Sequence, residues 1–154
     1  MTGPYVAVCG PGSATGEEER WAEEVGRRLA EAGAVVVCGG LGGVMDAAAR
    51  GAAAAGGAVV GILPGEDRLG ASEHLSVAIP TGMGEARNAI IARAADAVIA
   101  IGGEWGTLSE IALARKMGKQ VVGIATWRFV DRDDDVTRAA SPEDAVGRIL
   151  ELLG

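Results

Sequence analysis

The sequence predicts an α/β domain, a Rossmann-like, doubly wound parallel sheet with helices on both faces. Three observations lead there. Short β-forming runs alternate with alanine-rich stretches of helical length, the signature of βαβ units. The short runs are nearly all apolar, as strands buried on both faces require. Many of the 25 glycines fall directly after those runs, where an open parallel sheet makes its strand-to-helix turns. At 154 residues the chain suits one domain spanning residues 1–154.

The first strand is Tyr5–Cys9, followed by Gly10-Pro11-Gly12-Ser13-Ala14-Thr15-Gly16 and a helix over Glu17–Glu31. Trp21, Val25, Leu29 and Ala32 recur at the helical period, which assigns Trp21 to the core. A second strand, Ala34–Cys38, runs into Gly39-Gly40-Leu41-Gly42-Gly43 and a helix over Val44–Ala55. Strands at Ala58–Leu63 and Ser76–Ile79 precede a helix at Met83–Ala95. The fifth strand, Ala97–Ile101, leads through Gly102-Gly103-Glu104-Trp105-Gly106 into a helix at Thr107–Met117, and Gln120–Ala125 is the sixth. Ser141-Pro142-Glu143-Asp144 opens a last helix, with Ser as N-cap, Pro at the first helical position and acids at the positive end of the dipole.

A net charge of −7 disfavours nucleic acid or an anionic membrane as partner, since both select cationic surfaces. No apolar run approaches membrane-spanning length, and the first residues lead straight into a strand without a basic cluster. Cys9 and Cys38, the only thiols, each end an apolar run and read as buried small hydrophobes in a reduced, cytoplasmic protein. The acids within Asp131-Arg132-Asp133-Asp134-Asp135 fall in a loop and read as solvated rather than as a metal site. No metal and no resident cofactor are expected.

Three glycine-rich turns share the carboxyl edge of the sheet, where backbone amides at helix N-termini can converge on an anion. Gly10, Gly12, Ser13, Gly39, Gly40, Gly42, Gly43, Gly103, Gly106 and Thr107 are the candidate phosphate- or nucleotide-binding residues, with Met83 at the start of the helix after the fourth strand. No turn carries the lysine of a P-loop, which argues against nucleoside triphosphate hydrolysis by that device. The second strand ends without the acid that would hold a dinucleotide ribose. The only lysines, Lys116 and Lys119, lie away from the glycine edge, so Schiff-base chemistry has no nucleophile there.

Two charged residues stand out. Arg87 falls on the apolar stripe of the Met83–Ala95 segment, four residues from Met83 and three and four from Ile90 and Ile91. An inward-facing guanidinium needs an anion or an opening, and this one lies near the ligand edge. Glu110 has two readings. Thr107-Leu108-Ser109-Glu110 fits a capping box, and a carboxylate in that first turn is equally placed to meet the sugar of a bound nucleotide as a base or an anionic support.

Arg87-Asn88 together with Gly103-Glu104-Trp105-Gly106-Thr107-Leu108-Ser109-Glu110 resembles the paired signatures of the Lonely Guy family, the phosphoribohydrolases long mislabelled lysine decarboxylases. The resemblance extends through about Ala125. It implies a homodimer that cleaves the N-glycosidic bond of an AMP-like nucleoside 5′-monophosphate, with Arg87 and Glu110 as the catalytic pair. The family's proline is Gly102 here, its second glycine is Glu104, and its Arg-Lys pair is Arg87-Asn88. In those departures and in its length the chain is similar to the short branch that includes the molybdenum-cofactor carrier proteins, which bind a phosphorylated pterin. The sequence therefore carries two expectations, a hydrolase and a non-catalytic carrier or sensor of a phosphorylated nucleotide or pterin.

Overall fold

The structure, a computed structural model, describes residues 3–154. Its sheet has seven strands, all parallel: β1 (Tyr5–Cys9), β2 (Val35–Cys38), β3 (Val59–Leu63), β4 (Val77–Pro80), β5 (Ala97–Ile101), β6 (Gln120–Ile124) and β7 (Thr137–Arg138). Their order is β4-β3-β2-β1-β5-β6-β7, with β1 and β5 paired at the centre in the register Val8↔Ile99. The five helices are α1 (Gly16–Glu31), α2 (Val44–Ala54), α3 (Asn88–Ala94), α4 (Trp105–Lys116) and α5 (Pro142–Leu153).

Side chains alternate across each strand and so build two cores. Val6, Val8, Ile99 and Ile101 face one side with Val25 and Leu29 of α1, Ala48 and Ala52 of α2, and Ile149 of α5. Ala7, Cys9, Val98 and Ala100 face the other with Ile91 and Ala92 of α3 and Ile111 and Ala114 of α4. This is the doubly wound arrangement expected from the alternating pattern. Trp21 packs against the first core while remaining partly exposed. The small residues of α1 and α2 have a packing reason: a Cβ on Gly26 would lie 2.1 Å from the Ala48 carbonyl oxygen, and one on Gly51 1.9 Å from that of Glu23. The two backbones touch, and only residues without bulk permit it.

Two local readings change and one is refined. The Met83–Ala95 helix is shorter than its apolar stripe: Gly82 and Gly84 have φ of +63° and +59°, a 3-10 turn spans Gly84–Arg87, and α3 begins at Asn88. A right-handed helix cannot run through left-handed residues. Strand β7 was not expected at all. The acidic loop before it is ion-paired: Asp133 meets Arg128 at 2.6 Å and also Arg138, which hold its carboxyl below the usual range, and a 3-10 turn covers Asp133–Asp135. Among the described residues no group of three His, Cys, Asp or Glu side chains is placed to hold a metal ion, and no helix is long and apolar enough to cross a membrane.

Candidate functional site

The chain leaves β1 toward α1 on one face and leaves β5 toward α4 on the other, so a crevice opens between the two turns at their carboxyl ends. This topological switch point holds a cavity of about 570 Å³. Gly10 and Gly12 line it from the first turn; Trp105, Gly106, Thr107 and Glu110 come from α4, Arg87 from the end of the 3-10 turn and Asn88 from the start of α3. A second hollow of about 440 Å³, floored by Leu108, Ile111 and Phe129, lies between α4 and the segment after β6 and contains none of the glycine turns.

Arg87 is buried, and its partners are all neutral. Nε donates to the Ile62 carbonyl at 2.9 Å, Nη2 to the Gly39 carbonyl at 3.4 Å and Nη1 to Asn88 Oδ1. The guanidinium is thus fixed in position while its charge faces the crevice without a carboxylate hydrogen-bonded to it, the state that an anionic ligand would complete. Asn88, read from the sequence as a lost cation, carries the arrangement across to α4: its Nδ2 donates to Ser109 Oγ at 2.9 Å, and Ser109 Oγ donates to the Gly106 carbonyl at 2.8 Å.

The structure decides the capping question. Helix α4 starts at Trp105, two residues before the expected boundary, and its N-cap is Glu104. The Glu104 amide donates to Thr107 Oγ1 at 3.4 Å, and the Glu104 carboxylate faces the Thr107 amide in return. Glu110 is therefore one turn further in and caps nothing. It is buried at the crevice, and burial pushes its carboxyl up to about 7, against the smaller opposing pulls of the Cys9 thiol and the Arg87 guanidinium beside it. The same burial, reinforced by Glu110, pushes the Cys9 thiol well above its ordinary range.

Of the residues singled out in the sequence, Gly10, Gly12, Arg87, Gly106, Thr107 and Glu110 come together around the crevice. The others do not line it. Ser13 and Gly42 are exposed nearby, and Met83 is exposed before the 3-10 turn. Gly39, Gly40 and Gly43 serve close packing: a Cβ on Gly39 would press on Arg87, one on Gly40 on Leu63, and one on Gly43, at φ +64°, would lie 2.3 Å from the Pro11 carbonyl oxygen. Gly103 sits against the Trp127 ring. The crevice also holds Ser109 as a bridge and an apolar wall of Leu41, Met45 and Pro64 that the sequence did not single out as site residues. Ser109 lies inside the quoted motif, and Leu41 and Met45 lie in and just after the second glycine-rich turn; Pro64 carried no distinguishing pattern.

The chain is similar to the molybdenum cofactor binding protein of the phototrophic bacterium Rippkaea orientalis, 36% identical with a TM-score of 0.94 over 100% of this chain and 99% of that one. It is also similar to the molybdenum cofactor carrier protein of Chlamydomonas reinhardtii, 34% identical with a TM-score of 0.89 over 97% and 98% of the two chains. An uncharacterized protein of Archaeoglobus fulgidus is 47% identical over 119 residues, 77% of this chain and 78% of its own. The model of the SLOG cluster4 family matches residues 3–146, nearly the whole Rossmann-like domain including every residue of the crevice, and the chain belongs to that family.

Proposed function

We propose that the protein is a carrier that binds a phosphorylated pterin of the molybdenum-cofactor type in the switch-point crevice and releases it unchanged. The observation that carries this reading is the end-to-end likeness to a molybdenum cofactor binding protein, at 36% identity. The site's chemistry supports it. A phosphate in the crevice gains a charge-assisted bond from Arg87 and lies within reach of amides of the Gly10–Gly12 turn and the first turn of α4. Thr107 Oγ1 accepts from Glu104 and so keeps its own proton free to donate.

The hydrolase expectation retains one specific observation, the release of Glu110 from capping and its burial in the crevice with a raised pKa. In that reading AMP or a related monophosphate is the substrate, and Glu110 supports the oxocarbenium-like sugar. One experiment separates the two. The protein is incubated with AMP and GMP, and free base is sought by chromatography, while binding of these ligands and of a phosphorylated pterin is followed by calorimetry. Binding without release of base is expected. Release of base at a turnover abolished in Glu110→Gln would overturn the carrier reading.

The same proposal includes a two-fold homodimer. Strand residues Val77 and Ile79, on the edge strand β4, and Met83 are each 43–49% exposed, apolar surface that a second copy of the chain would cover. Light scattering should give twice the mass of one chain at micromolar concentration, and a monomer mass would remove this part. We place the carrier in the cytoplasm, where its free, buried thiols Cys9 and Cys38 stay reduced.

A further inference from the structure

The chain has only five aromatic residues, and two of them meet at the rim of the crevice. Trp105 is the first residue of α4, lines the crevice and is 75% exposed. Trp127, from the segment after β6, packs against it with ring centroids 5.1 Å apart and planes inclined by 39°. Trp127 is itself pinned, since its Nε1 donates to the Glu104 carbonyl at 3.0 Å and its ring rests on Gly103. Trp105 is therefore held on one side by an anchored ring while most of its surface faces solvent.

An indole in that state forfeits the stabilisation it would gain in a core. Beyond its one contact with Trp127, the local fold does not bury it. The cap of α4 is made by Glu104 and Thr107 through backbone and polar atoms, and neither core cluster contains Trp105. What its position does offer is a flat, polarisable surface at the mouth of a cavity whose interior holds the cation and the glycine turn. A cavity of about 570 Å³ has room for a phosphate and a fused ring together.

We infer that Trp105 is a specificity-determining residue, a braced platform on which the planar heterocycle of the ligand stacks while its phosphate is held deeper in the crevice. The inference rests on the phosphate-anchored reading above. It adds the residue that makes the site select monophosphates bearing a fused-ring heterocycle over sugar phosphates of the same charge. Arg87 then reads the anion, Trp105 reads the ring, and Trp127 is a positioning residue that holds the platform.

The test compares three ligands by calorimetry, GMP, neopterin 3′-phosphate and ribose 5-phosphate, against the wild type, Trp105→Ala and Trp105→Phe. Thermal melting of each protein checks that it folds. Trp105→Ala should weaken both ring-bearing ligands by about 5- to 150-fold, the equivalent of about 1–3 kcal/mol for a stacked base at about 1.4 kcal/mol per tenfold. Ribose 5-phosphate should change by less than about twofold, and Trp105→Phe should keep most of the ring affinity. GMP should also quench indole emission in the wild type far more than in Trp105→Phe. An unchanged affinity for the ring-bearing ligands in Trp105→Ala overturns the platform and leaves the phosphate site standing. So does an equal loss for all three ligands, or a wild type that binds ribose 5-phosphate as tightly as GMP. A wild type that binds none of the three overturns the phosphate-anchored reading and the platform with it.

Discussion

Replacing Glu110 by Gln exchanges a buried carboxyl for a neutral amide of nearly the same shape, and the consequence for stability depends on pH in a calculable way. Folded Glu110 takes up its proton at about 7, because burial disfavours the charged form more than Arg87 and Cys9 favour it. In the unfolded chain the group returns to about 4.5. Between these values the folded protein holds a proton that the unfolded chain has released, so the group's contribution is most favourable below 4.5 and is lost as pH rises through 7. The interval corresponds to about 3 kcal/mol at about 1.4 kcal/mol per pH unit. The variant has no such proton. Its stability relative to wild type should therefore rise by about 3 kcal/mol between pH 4 and pH 8, or about 10 °C in the relative melting temperature of a domain this size. Urea and thermal unfolding of both proteins across that range measure the difference. Parallel stability curves for wild type and variant from pH 4 to 8 would refute the raised carboxyl and the burial argument behind it.

Three further outcomes follow from particular contacts. Arg87→Met leaves the Ile62 and Gly39 carbonyls and Asn88 Oδ1 without their donor, so urea unfolding should register a loss of about 1–3 kcal/mol, and phosphate-bearing ligands should lose most of their affinity in calorimetry. Gly43→Ala places a Cβ 2.3 Å from the Pro11 carbonyl oxygen at φ +64°, and chemical denaturation should show a loss of at least about 2 kcal/mol; a neutral result would mean that the two glycine turns are not locked together. Thr107→Val removes the hydroxyl that accepts from the Glu104 amide and should lower stability by about 1 kcal/mol, whereas Thr107→Ser should retain it, both read from melting temperatures.

The parallel sheet was legible because its central strands are buried on both faces and therefore nearly free of polar residues, while the intervening segments are long enough to cross over. Strand β7 escaped because Thr137–Arg138 is two residues long, too short for any period to register. Arg87 was legible from its place on the apolar stripe, although the stripe overstated the helix. Glycine-imposed left-handed φ angles at 82 and 84 are properties of the folded backbone that a periodicity count does not contain. Glu110 was ambiguous for a different reason. Two residues three positions apart in the chain can each supply a cap, and Glu104-to-Thr107 and Thr107-to-Glu110 satisfy the same spacing. Only the position at which the chain leaves β5 selects between them. The glycines were read as room for a ligand; Gly39, Gly40 and Gly103 also make room for the Arg87, Leu63 and Trp127 side chains, and Gly43 for the Pro11 backbone.

The choice of Glu104 as the cap has a consequence for exchange. The positive end of α4 already faces a carboxylate of the chain itself, so an arriving phosphate competes there with an anion that is tethered one residue from the helix and never diffuses away. Such a built-in competitor lowers the net gain from seating the ligand and, equally, fills the vacated position as the ligand departs. In the proposed carrier role, where cargo must be handed on, tight capture is a handicap. A helix end that can be satisfied from within lets the cargo leave without exposing unpaired amides, and it shifts the discrimination between ligands to contacts that Glu104 cannot imitate.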